Sequence, residues 1–120
     1  MNPKYIEVIT FHIRYGKGDD FRSAVAKVHE ANQKLKVPYH YGWYRLFNGG
    51  PGGTYVLTED HANWASFEDD PAVKPMRDRL REAFGEQEAM SVVERLNAAI
   101  EGTYSAIVRT RPDLSYVPAK

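Results

Sequence analysis

One stretch near the start of the chain limits the possible folds more than any other: YIEVITFHIRY, residues Tyr5 to Tyr15, followed by the turn residues Gly16 and Gly18. β-Branched and aromatic side chains fill it, and the glycines end it, so it reads as a strand. Because alternate strand residues face opposite ways, Tyr5, Glu7, Ile9, Phe11 and Ile13 form one face and Ile6, Val8, Thr10, His12 and Arg14 the other. Each face carries several apolar groups. A strand with two apolar faces belongs inside a sheet that is covered on both sides.

The next segment supplies cover for one side. Asp19 or Asp20 is placed to cap a helix running to about Lys36, with Phe21, Ala24, Val25, Val28 and Leu35 on one stripe. Val37-Pro38 ends it. Residues 39–47, YHYGWYRLF, form a second strand, Asn48 to Gly53 (NGGPGG) a turn, and Thr54 to Glu59 a third strand, giving a hairpin. The pattern is helical again from Asn63 through Trp64 and Phe67. After Asp70-Pro71 it continues with Val73, Met76, Leu80 and Phe84, breaks at Gly85, and resumes with Ala89, Val92, Val93, Leu96, Ala99 and Ile100, stopping at Gly102. Thr103 to Arg111 is the fourth strand. The expected architecture is therefore α+β, a ferredoxin-like βαββαβ domain over residues 1–111 with a four-stranded antiparallel sheet and an extended second helical region. Residues 112–120 form a proline-bearing tail, extended or disordered.

Helices cover only one face of such a sheet. The other would expose Trp43, tyrosines and aliphatics, so a homodimer packing sheet to sheet is expected. The segment GWYRLFNGGPGGTYVLTEDHANWASFEDDPAVKPM, residues 42–76, resembles the central hairpin and following helix of the dimeric α/β-barrel superfamily. That group includes the antibiotic biosynthesis monooxygenase-like and NIPSNAP-like proteins. The likeness rests on Tyr44 and Leu46, the glycine-rich turn, Glu59 and the stretch from Trp64 to Pro71. Where the monooxygenase-like members often end the third strand in Glu-x-Trp, this chain has Glu59-Asp60-His61.

Sixteen basic residues balance sixteen acidic ones, which leaves no long-range field to hold nucleic acid or an anionic membrane. The chain has no cysteine, which excludes disulfides, thiolate nucleophiles and thiolate metal sites and suits the cytoplasm. No apolar run has the length of a membrane span or the form of a signal peptide. The four histidines show no helical metal-pair spacing, so no metal is expected; no nucleophile elbow supports a hydrolase triad, and the arginines at 77, 79 and 81 read as a solvated helix surface.

The candidate chemistry lies on the strands. His12 and His40 are candidate bases, imidazole being the side chain suited to exchanging protons near neutral pH, and Glu7 is a third, being a carboxylate among apolar neighbours. Arg14 and Arg109 are suited to holding an anion, while Trp43, Tyr44 and Tyr55 would wall a pocket for a small organic molecule. On the second strand, Tyr41, Trp43, Arg45 and Phe47 share a face, with His40, Gly42, Tyr44 and Leu46 on the other. The rings could equally pack at a subunit interface. The resemblance implies cofactor-independent oxygenation or isomerisation of an aromatic or enolisable substrate. The alternatives are a non-catalytic ligand-binding or stress-related module, and a structural homodimer with a filled core.

Overall fold

A computed structural model of the chain describes residues 5–38, 40–46, 53–61, 74–116 and 118. The elements are β1 (Tyr5–Ile13), α1 (Gly18–Lys34), β2 (Tyr41–Arg45), β3 (Thr54–His61), α2 (Met76–Phe84), α3 (Glu86–Ala99) and β4 (Ile100–Arg109). The strands form one antiparallel sheet in the order β2-β3-β1-β4. This is the ferredoxin-like plan, with β1 and β3 central as their two apolar faces require. Most of the Gly-rich turn, and the stretch from Trp64 to Val73 with its expected helix start at Pro71, lie outside the described residues.

Register assigns every side chain to a face. Glu7 pairs with Glu59 and Ile107, and Phe11 with Tyr55 and Thr103; Trp43 pairs with Leu57. The odd-numbered residues of these strands face the helices. There Phe11, Phe21, Trp43 and Tyr55 form a ring cluster, with centroids 5.0 Å apart for Phe21 and Tyr55 and 5.4 Å for Phe11 and Trp43. Such tilted and edge-on contacts add to the gain from area burial. Phe21 is fully buried, as are Ala24, Leu80, Ala89, Val92 and Ala99, the inner residues of the three helices.

Several boundaries differ from expectation: β1 ends at Ile13, β2 spans only Tyr41–Arg45, β3 runs on to His61 and β4 ends at Arg109. Helix α1 begins at Gly18, one turn being closed by Phe21 N–H to the Lys17 carbonyl at 2.9 Å, and no side chain caps it. Asp19 and Asp20 instead occupy its first turn, where their charge favours the helix dipole. Its end comes at Lys34, because Lys36 turns left-handed at φ 52°. Gly102 does not stop α3: Ile100 is already extended and begins β4, pairing with Ile13, while Gly102 pairs with His12. A β-branched residue with an apolar partner across the strands wins over the local stop signal.

Gly85 does separate two helices as expected. At φ 91° it adopts a conformation that other residues rarely take, donating to the Arg81 carbonyl and accepting from Ala89 N–H. Gly53, at φ 71°, accepts from Ile13 N–H, and an added Cβ would stand 3.2 Å from the Ile13 carbonyl oxygen.

Candidate functional site

The helix-facing side of the sheet changes character along its length. At one end lies the ring cluster; at the other, β1 and β3 place two carboxylates directly opposite each other, Glu7 and Glu59. Like charges in a cross-strand pair repel, and these two are half-buried beneath helices where water screens little. Burial pushes the Glu59 carboxyl above its ordinary range; the charge of Glu7 and a hydrogen bond with it add to the rise. A hydrogen bond between two carboxyl groups needs a proton on one of them. Glu59 is thus the member of the pair held toward its neutral form, by burial first and by the charge of Glu7 second.

Its surroundings are polar. His61 Nε2 lies 3.9 Å from Glu59 Oε2, two residues along β3 on the same face. Ser105 Oγ donates to Glu7 Oε2 at 3.4 Å from β4. Arg79 of α2 favours the ionised form of Glu59 by its charge, donates through Nη1 to the Lys74 carbonyl at 3.0 Å, and has a buried Nε with no hydrogen-bond partner among the described residues. The next row of the sheet adds Tyr5, opposite both His61 and Arg109. One carboxylate oxygen of each glutamate and one ring nitrogen of His61 all lie within 4.8 Å of one another. These three are the described residues that could hold a cation.

The candidate residues named from sequence divide between places. Glu7 and Arg109 lie at the polar end of the helix-facing side. Trp43 and Tyr55 also face the helices but belong to the ring cluster, where Tyr55 accepts a hydrogen bond from Arg22 Nη1 at 2.8 Å. His12 and Tyr44 stand on the opposite face, His12 Nδ1 being 3.4 Å from Thr54 Oγ1. Glu7, His12 and Trp43 thus cannot line one cavity within this chain, nor can Trp43 and Tyr44. Arg14 does not extend the His12 face, because β1 ends at Ile13; it is exposed. His40 precedes β2 and borders a separate groove at the edge of the sheet.

Sequence reasoning missed Arg79, read as solvated with Arg77 and Arg81. Those two are exposed; Arg79 is not. It also passed over Glu59 and His61 as a pair. Their signal was present, since Tyr55, Leu57, Glu59 and His61 fall on one face at period two.

The architecture has relatives among solved structures. An uncharacterised NIPSNAP domain protein from Burkholderia xenovorans superposes with a TM-score of 0.57 at 15% identity, over 96% of this chain and 99% of that one. A NIPSNAP family protein from Agrobacterium tumefaciens gives 0.58 at 17% identity, over 90% and 93%. The fold is that of the NIPSNAP-like proteins. SnoaB from Streptomyces nogalater, a cofactor-independent oxygenase, shares the NIPSNAP-like fold with a TM-score of 0.51 at 15% identity, over 95% of this chain and 99% of its own. No family model matches the chain. No curated protein matches it either.

Proposed function

We propose that this NIPSNAP-like chain binds a small enolisable or aromatic molecule and moves a proton on it, with Glu7 and Glu59 as the acid–base pair. The observation that carries the reading is the cross-strand carboxyl pair on the covered face of the sheet, with the Glu59 carboxyl raised by burial and by the charge of Glu7. Two carboxyl groups in such proximity divide the roles: the ionised one removes a proton from carbon, and the protonated one donates a hydrogen bond to the enolate oxygen that forms. The Arg79 guanidinium favours the same negative charge. This gives the base role to Glu7 with its partner, rather than to His12 or His40, which face elsewhere.

Return of the proton to a different carbon is isomerisation. Reaction of the enolate with dioxygen is cofactor-independent oxygenation: a CH₂ group becomes C=O, one oxygen atom entering the product and the other leaving as water. The likeness to SnoaB in fold is the support for that second outcome. The reading includes a homodimer, a domain over residues 1–111 with a tail over 112–120, and a cytoplasmic setting without cofactor or nucleic acid. It is supported by the absence of cysteine and by the balanced charge. No helix among the described residues is long and apolar enough to cross a membrane.

Deuterium uptake at C1 of 2-tetralone in D₂O, followed by proton NMR, tests the proposal. The protein is expected to accelerate exchange over buffer, and Glu59→Gln to lose about 10²- to 10⁴-fold of that rate. No acceleration, or an unchanged rate in Glu59→Gln, overturns it. An oxygen electrode on the same mixture distinguishes oxygenation from isomerisation.

The 4.8 Å span of Glu7, Glu59 and His61 favours one competing reading, a divalent cation held by the three. Its mark would be a metal ion retained in native mass spectrometry and lost with His61→Ala. Acid–base action by the carboxyl pair alone predicts no such ion.

A further inference from the structure

The carboxyl pair is open on one side, over the edge strand β4. Register sets Ile107 directly across from Glu7, with Ser105 and Arg109 next along the same face on either side of it. Thr103, Ser105, Ile107 and Arg109 share the helix-facing side of the sheet with the pair, yet all four are exposed. A molecule arriving from water therefore meets these side chains first.

Ser105 and Arg109 are the two diagonal neighbours of Glu7 on this strand. The short one already reaches it, Ser105 Oγ donating to Glu7 Oε2 at 3.4 Å. Diagonal residues of an antiparallel pair stand about 7–8 Å apart, so a guanidinium on its long stem covers the same gap with length to spare. Arg109 nevertheless forms no ion pair with a carboxylate among the described residues. Asp113, in the turn that follows β4, is held by Arg111, which donates to it at 2.9 and 2.7 Å and lowers its carboxyl; the charge of Arg109 is a lesser contribution there.

These groups indicate what kind of molecule fits. Arg109 and Arg79, whose charge already acts on Glu59, together offset the two glutamates, so a further carboxylate is not driven away from this end of the sheet. A planar guanidinium without a carboxylate of its own suits such a ligand, which it holds through two parallel hydrogen bonds. Ile107, 41% exposed between the serine and the arginine, offers an apolar bed for the rest of the molecule. Because Arg109 and Glu7 converge from neighbouring positions, the carboxylate and the acidic carbon of the ligand must be close together. A 2-oxo acid separates them by its carbonyl alone.

We propose, resting on the acid–base reading of Glu7 and Glu59, that the substrate is an enolisable 2-oxo acid, held by its carboxylate at Arg109 with its apolar part on Ile107 and its C3 methylene toward Glu7. Glu7 takes a proton from C3 and the electron pair moves onto the carbonyl oxygen, giving the enolate; return of the proton restores the ketone. No co-reactant is needed for that step.

The test compares 2-oxo-4-phenylbutanoate with 4-phenyl-2-butanone, in which a methyl group replaces the carboxylate, in NMR titrations of the whole, isotope-labelled protein. Saturable binding of the keto acid is expected, with shifts at the Arg109 side chain, Ser105 and Ile107, and the butanone is expected to bind at least about tenfold more weakly. Arg109→Gln changes an exposed side chain, so the variant should fold, and the preference for the keto acid should vanish in it. Equal binding of the two compounds, absence of saturation at millimolar concentration, a preference that survives Arg109→Gln, or shifts centred away from β4 would each overturn the proposal. Neither titration involves proton transfer to carbon. Failure here with tetralone exchange still accelerated removes the keto-acid assignment alone, whereas keto-acid binding at Arg109 without any exchange removes the acid–base reading and leaves a carboxylate site.

Discussion

At the residue scale the molecule turns on one pair. Glu59 and Glu7 oppose each other on a covered face, and burial raises the Glu59 carboxyl first, its neighbour's charge second. The consequence for stability has a definite sign. A carboxyl whose folded value lies above its unfolded one binds its proton more tightly when folded, so it contributes stability at low pH that is lost as pH rises. Stability should therefore fall from about pH 4.5, the ordinary value of the group, upward through the raised value in the folded protein. Glu59→Gln keeps a hydrogen-bond donor for Glu7 and removes the ionisation. Its urea midpoint should vary less with pH across that range, and at pH 7 should equal or exceed that of the parent; a steeper pH dependence would refute the raised Glu59 carboxyl.

At the scale of elements, the chain is ordered by where helices may stop. Gly85 sits between α2 and α3 at φ 91° and ψ 168°, in the region that only glycine occupies readily, and nothing lies within 4 Å of where a Cβ would be. Strain alone, without a clash, would then oppose a substitution. Gly85→Ala is expected to cost about 1–3 kcal/mol in urea unfolding. The ring cluster offers the contrasting case, where packing governs. Phe21 is 1% exposed and touches Phe11, Trp43 and Tyr55. Phe21→Ala should cost about 3–5 kcal/mol, measured in the same way. A cost below about 1 kcal/mol would mean that the cluster does not anchor α1 to the sheet.

For the whole molecule, the governing feature is the sheet face that no described helix covers. Ile6, Val8 and Val56 lie on it half-buried, and Tyr44, Tyr104 and Val108 are 59%, 68% and 46% exposed. Register places all six on one side. A face of this kind is stable in water when a second copy covers it, and a two-fold axis would set Tyr104 and its neighbours against the same residues of the partner. Sedimentation equilibrium at micromolar concentration should give twice the mass of the chain. Tyr104→Lys, which buries a charge if the face is covered, should shift the equilibrium toward monomer; a native protein that sediments as a monomer would rule the dimer out.

The sequence by itself determined the element order, the central place of β1 and β3, and the division of β2 into two faces. Those follow from local rules: period two in strands, three-to-four spacing in helices, and glycine or proline where the backbone must turn. It did not determine which side of the sheet the helices cover, since both faces of YIEVITFHIRY are apolar enough to be inside. Alternation had already set Glu7 apart from His12 and Trp43 apart from Tyr44, so no single pocket within one chain takes them all; only the packing decided that Glu7 and Trp43 lie under the helices. Likewise, Glu7 and Glu59 are 52 positions apart in the chain, and only the antiparallel register makes them neighbours. The rise of the Glu59 carboxyl depends on distance and burial together, and neither is set until β1, β3 and α2 have packed.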